Sequence, residues 1–342
     1  MLRLEEKETK RNSRWTLQGM IRNGSLVIPN PLNSHQERLV PDYLEALRVA
    51  SSSQVSSPIF SHYIVREAIG PIGKKKYPAG NIEYGHLQAL HGEESAIVTL
   101  KTHYPLYDGE VILGIIAGEE GNIGAPCGNC RDLMLDTMGG RPEKLHIVSG
   151  AQTGGLAIAT DLRTYLFEEY EQVDSLTQSI AQEVELIRIN AQEKMYDPYS
   201  PPDHPYPERI YLAGISDGNG ALFTAGHWVD ADYHPTYAIE NAIVQAGSNI
   251  FMDHVVILSH NPNGQPPHVM YRDRQRLFGH NQKQEDILEK QLNPKIILVN
   301  ESGGELQIWQ TTVKEWLPLP FSADSFGPFR EDIRRYNILN LR

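Results

Sequence analysis

The second half of this 342-residue chain repeats the first, and that repeat limits the fold more than any other feature. Ala79-Gly80 through Ala96-Ile97-Val98 aligns without gaps on Ala225-Gly226 through Ala242-Ile243-Val244, 146 residues later. Glu110–Leu113 then answers His254–Ile257, Pro126–Asp132 answers Pro267–Asp273, and Lys144–Ser149 answers Lys295–Asn300. Similarity that keeps its order at nearly constant spacing points to one folding unit used twice. The chain therefore reads as a 1–34 extension, a first domain over 35–167, a linker over 168–174 and a second domain over 175–342.

Within each copy the hydrophobic pattern alternates between strands and helices. In the first, HYIVREAI (62–69) and Tyr77–Tyr84 read as strands around a turn at Gly70–Lys76. Glu93–Lys101 is a helix with Ala96, Ile97 and Leu100 on one face. EVILGIIA (110–117) is a buried strand by its continuous apolar run, Cys130–Met138 a helix, and KLHIVS (144–149) another strand. Pro41–Ala50 reads as a helix with Pro41 in its first turn. Ser175–Tyr196 reads as a long one whose stripe is Leu176, Ile180, Val184, Ile187 and Ala191. Strands alternating with helices predict an α/β fold with partly parallel pairing. The first 34 residues, polar and rich in turn signals, read as an arm or irregular extension.

The formal net charge of −12 disfavours a chain that grips polymeric nucleic acid. No apolar run approaches the length of a membrane span, and the charged start of the chain does not resemble a signal peptide. The expectation is a cytoplasmic protein with no membrane partner. The two cysteines, Cys127 and Cys130, are too close for a disulfide framework and suit a metal or redox pair.

Chemistry is concentrated in His91-Gly92-Glu93 and Pro126-Cys127-Gly128-Asn129-Cys130. H-x-E followed by P-C-x-x-C is the general spacing of zinc deaminases. His91, Cys127 and Cys130 would be three zinc ligands, leaving a fourth position open. Two thiolates and one imidazole neutralise the ion, and both ligand groups fall at helix starts, where the positive dipole end favours thiolate. Glu93, two residues past His91, is the expected proton carrier. A redox C-x-x-C without metal is the rival reading and gives His91 and Glu93 no role. In the second copy the alignment puts Tyr237, Ile239, His268 and Tyr271 at the places of His91, Glu93, Cys127 and Cys130. That copy then reads as a non-catalytic, structural or substrate-shaping domain.

With these motifs the sequence resembles the cytidine deaminases, in particular their two-domain, homodimeric branch with a His-Cys-Cys zinc site. Gly80-Asn81-Ile82-Glu83 is similar to the family's G-x-N-x-E strand end, which implies that Asn81 and Glu83 hold sugar hydroxyls. An amide and a carboxylate two apart on a strand point the same way, as that role needs. Ser61–Val65 is similar to the S-x-F-x-V strand, putting Tyr63 against the pyrimidine, and Ser325–Pro328 to the terminal F-G-P, putting Phe326 at the pocket mouth. Tyr196–Ser200 resembles the Y-x-P-Y-S lead-in to a deaminase domain. The resemblance implies a duplicated three-layer α/β/α sandwich with a mixed five-stranded sheet in each half. It also implies a zinc cofactor, a homodimer, and hydrolytic deamination of cytidine, deoxycytidine or a close analogue to the uracil form plus ammonia. Three features depart from the family: Arg66-Glu67 where it has Gly-Ala, a shorter stretch from Glu83 to His91, and Gly92 where it has Ala. They favour keeping open a modified cytosine nucleoside or another amino-heteroaromatic metabolite of a specialised pathway. A non-enzymatic scaffold with a relic zinc site is the remaining alternative.

Overall fold

The structure is a computed structural model. It describes residues 17–22, 25–27, 34–53, 65–83, 89–119, 122–151, 155–166, 170–194, 211–226, 237–247, 250–259, 264–302 and 305–317. These fall into two compact units, one ending at Leu166 and the other beginning after it.

The first unit runs β1 (Leu17–Arg22), β2 (Ser25–Val27), α1 (Ser34–Ser51), β3 (Arg66–Pro71), β4 (Tyr77–Gly80), β5 (Ile82–Glu83) and β6 (Ala89–Leu90). It continues with α2 (Gly92–His103), β7 (Val111–Ile116), β8 (Gly118–Glu119), β9 (Asn122–Ile123), α3 (Gly128–Thr137), β10 (Leu145–Gly150) and β11 (Gly155–Asp161). The strand order is β2-β1-β11-β10-β7-β3-β4. Only β7 and β10 run parallel; every other neighbour is antiparallel.

Alternation along the buried strands divides the core into two layers. On one face Tyr43, Ala46, Leu47 and Ala50 of α1 cover Ala68, Ile112, Ile116 and Val148. On the other, Ala96, Ile97 and Leu100 of α2 and Cys130 and Met134 of α3 cover Ile69, Leu113, Ile115 and Ile147. Gly114 lets α1 approach closely: a β-carbon there would lie 2.8 Å from the Ala46 carbonyl carbon. The result is helix, sheet, helix.

The second unit runs β12 (Glu171–Val173), α4 (Gln178–Lys194), β13 (Tyr211–Ser216), β14 (Leu222–Ala225), α5 (Ala238–Ala246), β15 (His254–Ser259), α6 (Tyr271–Leu288), β16 (Lys295–Ser302), β17 (Glu305–Thr312) and α7 (Val313–Trp316). Its order, β12-β17-β16-β15-β13-β14, contains the same five-strand core as the first unit. The directions agree as well, with β15 and β16 the parallel pair. Val184 and Ile187 of α4 cover Val256, Leu258 and Val299 on one face. Ala238, Ile239 and Ala242 of α5 and Leu277 of α6 pack on the other.

Several sequence-based expectations change. Part of the 1–34 arm is a hairpin that joins the sheet edge through β11, so the first sheet has seven strands among the described residues. β12 raises the second sheet to six. A polar stretch with turn residues hides such edge strands, because only one face of each needs apolar side chains. Helix α1 begins at Ser34, so Pro41 is interior, where it was expected in the first turn. The strand expected over Tyr77–Tyr84 breaks at Asn81: β4 pairs with β3, whereas β5 pairs with β6. No described helix is long and apolar enough to cross a membrane.

The helix caps also revise the alignment of the second cysteine region. Met270 caps α6 as Cys127 caps α3. Arg131 Nε donates to Pro126 O at 2.9 Å and Arg274 Nε to Val269 O at 2.9 Å, the same five-residue reach. Met270 and Asp273, not His268 and Tyr271, therefore stand at the places of Cys127 and Cys130. Matching Pro126 to Pro267 in sequence sets the register two residues off, which a motif-to-motif alignment cannot detect.

The β3–β4 turn is held by Lys76. Its fully buried ammonium donates to Asp42 Oδ1 at 2.5 Å and to the carbonyls of Pro71 and Lys74 at 2.8 Å. Asp42→Ala leaves that charge without its counter-ion and is expected to lower unfolding stability by about 3 kcal/mol. An unchanged urea midpoint would remove the pair from the account of this turn.

In the second unit, burial pushes the Asp273 carboxyl up to about 7. The Tyr211 hydroxyl donates to its Oδ2 and Oδ1 has no hydrogen-bond partner. An unfolded aspartate loses its proton near pH 4, so between that pH and about 7 the folded state binds the extra proton. Stability is expected to fall as pH rises through this window and to level off above it. Asp273→Asn should shrink the difference in thermal midpoint between pH 5 and pH 8; equal differences in both proteins would refute the assignment.

Candidate metal centre

Two helix starts meet at the end of the first sheet. His91 caps α2 and Cys127 caps α3, both with extended backbone. Their parent strands set this arrangement: parallel β7 and β10 are joined by a crossover containing α3, and α2 precedes β7 on the same face. Cys127 Sγ and Cys130 Sγ each lie 3.3 Å from His91 Nδ1 and 3.5 Å from each other. This is the one group of three or more metal-type side chains gathered in this way among the described residues.

The triangle fits zinc. Tetrahedral bonds of about 2.3 Å to sulfur and 2.0 Å to nitrogen place donors about 3.5–3.8 Å apart, within a few tenths of an ångström of these edges. The contact with Cys130 pulls the Cys127 thiol down to about 4, and the contact with Cys127 holds the His91 imidazole up at about 9. Three donors crowding their lone pairs into one small triangle is the environment a soft divalent cation relieves.

Glu93, in the first turn of α2, is 8% exposed. Burial, with the negative charge of Cys127 adding to it, pushes its carboxyl up to about 7. It stands beside the donor triangle without being one of its members.

A second glutamate, Glu94, braces the two helix starts. Its Oε2 accepts from the His91 backbone N–H at 2.8 Å and its Oε1 from Asn129 Nδ2 at 2.8 Å. Asn129 lies between the cysteines, so one carboxylate ties the histidine backbone to the cysteine loop. Arg131 holds that loop from behind. Fully buried, it donates to Pro126 O and to Tyr165 O, both at 2.9 Å.

Asn81 is buried and exchanges hydrogen bonds with Val65. Its backbone N–H donates to Val65 O at 3.3 Å and its Oδ1 accepts from Val65 N–H at 3.2 Å. The side-chain oxygen therefore fixes the strand end, and Nδ2 is the atom suited to a ligand. Glu83 lies on β5 opposite Ala89, so the β5–β6 ladder brings the Asn81–Glu83 strand alongside the residues that lead into His91. Tyr63 and Phe326 lie outside the described residues.

The Arg66-Glu67 pair separates into two roles. Arg66 turns toward α1, Nη1 donating to Ser51 O at 2.7 Å. Glu67 turns the other way and is completely buried against Gly92. Of this pair, then, only Glu67 reaches the metal-centre side. The sequence signal for Glu67 was present, an acid inside an apolar strand. Glu94 and Asn129 carried no signal, since both residue types are ordinary at exposed helix starts.

No family model matches the chain, and no curated protein matches it. Among solved structures, it is similar to a cytidine deaminase from Burkholderia pseudomallei, at 20% identity over 38% of this chain and 93% of that one, with a TM-score of 0.29. A cytidine deaminase from Mycobacterium leprae is similar at 22% identity over 35% of this chain and 93% of that one, with a TM-score of 0.27.

The purified chain is expected to carry about one zinc, as three ligands at a single centre require. Cys130→Ala and His91→Ala should each abolish tight zinc binding, measured by metal analysis after dialysis against a weak chelator. Undiminished zinc in both variants would place the ion elsewhere.

Proposed function

We propose that this chain is a zinc-dependent hydrolase that removes an exocyclic amine from a cytosine nucleoside, giving the uracil form and ammonia. The observation that carries this reading is the pairing of the His91–Cys127–Cys130 triangle with the buried carboxyl of Glu93. A structural zinc site has four protein ligands and no need of an adjacent proton carrier. Three donors beside a carboxyl poised near neutrality are what hydrolytic deamination uses.

Zinc held by His91, Cys127 and Cys130 would supply Lewis-acid chemistry that makes water a nucleophile at neutral pH. Glu93 takes the proton that the attacking water loses and delivers it to the ring nitrogen beside the attacked carbon. It then carries the second proton to the departing amine, so one water is consumed and one ammonia released. Near-neutral affinity suits both halves of that task, because the same group must accept and donate. Asn81 Nδ2 and the Glu83 carboxylate are the proposed contacts to the sugar hydroxyls, with Tyr63 against the ring and Phe326 closing the pocket.

On this reading the second unit is a degenerate copy of the first. Tyr237, Met270 and Asp273 occupy the places of the three donors, and phenol, thioether and a lone carboxylate make a poor zinc set. The matching five-strand order and directions support duplication. The net charge of −12 supports a free nucleoside substrate over a polymer. We further propose that the chain acts as a homodimer in the cytoplasm.

The deciding assay measures ammonia release and the change in ultraviolet absorbance on cytidine, deoxycytidine, cytosine and base- or sugar-modified analogues, with zinc content measured in parallel. Glu93→Gln is expected to keep its zinc and lose turnover by more than about 1,000-fold, as removal of the sole proton carrier should. Zinc-loaded wild-type protein that releases no ammonia from any ring amine would end the deaminase reading.

A further inference from the structure

Glu67 is an acid in the wrong place for an ordinary strand residue. It lies mid-core on β3, is 0% exposed, and neither of its carboxyl oxygens receives a hydrogen bond from a donor group. Its backbone is fixed, with Ser53 Oγ donating to Glu67 O at 2.7 Å. A buried carboxyl that no donor group holds costs stability and calls for an explanation from its surroundings.

Its neighbours identify what that is. The carboxyl group sits directly over Gly92: a β-carbon on residue 92 would lie 2.9 Å from Glu67 Cδ and 3.0 Å from Oε1. No side chain larger than hydrogen fits there while Glu67 holds its position. Gly92 separates His91 from Glu93 in the first turn of α2, so the Glu67 carboxyl bears on the backbone that carries both, and after burial the charge of Glu93 is what acts most strongly on it. One hydrogen shared between the two carboxyl groups is what such a contact needs.

The second unit provides an internal control. Glu67 pairs with Ala79 in the β3–β4 hairpin and Ala213 pairs with Ala225 in the β13–β14 hairpin, at the same 146-residue shift that relates Gly92 to Ala238. Ala213 is thus the counterpart of Glu67, and Ala238, first residue of α5, is the counterpart of Gly92, first residue of α2. The unit with the donor triangle carries Glu and Gly at these two places. The unit without it carries Ala and Ala, both fully buried in an apolar core. Two of the departures seen in the sequence, Glu67 and Gly92, are therefore one feature: the glycine makes room for the acid.

We propose that Glu67 is a positioning residue for Glu93: its carboxyl group, seated over Gly92, hydrogen-bonds the Glu93 carboxyl from the side of the sheet and fixes the direction in which Glu93 faces the donor triangle. Being fully buried, Glu67 acts through Glu93 and does not touch the substrate. The inference rests on the deaminase reading for its catalytic consequence, but not for its geometry.

The test compares Glu67→Gln, Glu67→Met and the double variant Glu67→Ala/Gly92→Ala, which copies the packing of Ala213 and Ala238 and so preserves the fold. Two quantities are read: kcat and KM for deamination, and the visible spectrum of the cobalt-substituted protein, which reports the surroundings of the metal. Glu67→Gln retains a hydrogen-bond donor and should stay within about threefold of wild type in kcat, with an unchanged cobalt spectrum. Glu67→Met and the double variant should lose about 100-fold in kcat with little change in KM, the effect of misplacing a catalytic group by about an ångström. Their cobalt spectra should shift as that of Glu93→Gln does. A double variant with wild-type kcat and a wild-type cobalt spectrum overturns the proposal, because Glu67 then only fills space. If wild type deaminates nothing, the deaminase reading falls and the cobalt spectra alone decide the role of Glu67.

Discussion

The centre of this protein depends on two helices that begin at the same point. An α-helix leaves its first backbone N–H groups unbonded and its positive end exposed, so the residues that cap it sit in a field favourable to anionic donors. Here the caps are His91 and Cys127, with Cys130 in the first turn of α3. The parallel β7–β10 pair brings α2 and α3 side by side on one face of the sheet, so the caps converge within hydrogen-bonding distance. A fully antiparallel sheet joined by hairpins would not place two helix starts together in this way.

That convergence requires bracing, because a metal centre needs its donors held at fixed positions and not merely near one another. Glu94 spans from the His91 backbone to Asn129, and Arg131 anchors the carbonyl preceding Cys127. Glu67, beneath Gly92, completes the ring of support on the sheet side. The three lie in different elements, yet each acts on a residue adjacent to a donor. In the second unit the same scaffold stands without these demands, and its core is apolar at the places of Glu67 and Gly92.

The second unit has the same fold without the donor set. Strand order, strand direction and the layering of helices are shared, whereas Tyr237, Met270 and Asp273 stand at the places of the donors. The fold is specified by many interchangeable apolar contacts, each worth a modest amount, so it tolerates drift. A metal centre is specified by a few atoms at fixed distances and disappears when any one of them changes.

The motif residues His91, Glu93, Cys127 and Cys130 were legible in the sequence because their chemistry is tied to local spacing, two and three residues apart at helix starts. The layered α/β pattern and the repeat were legible because apolar periodicity records which face of each element is buried. What the sequence could not determine were relations between segments far apart in the chain. The hairpin of β1 and β2 at the sheet edge, the two-residue shift that replaces His268 by Met270, and the Glu94–Asn129 bridge all depend on strand register and helix placement. Arg66 and Glu67 are adjacent in sequence, and only the alternation of a strand fixed in a sheet sends one to α1 and the other to Gly92. That Glu67 and Gly92 belong together was decided by tertiary structure alone: they are 25 residues apart and meet because β3 lies under the first turn of α2, where a carboxyl and a β-carbon cannot share the same space.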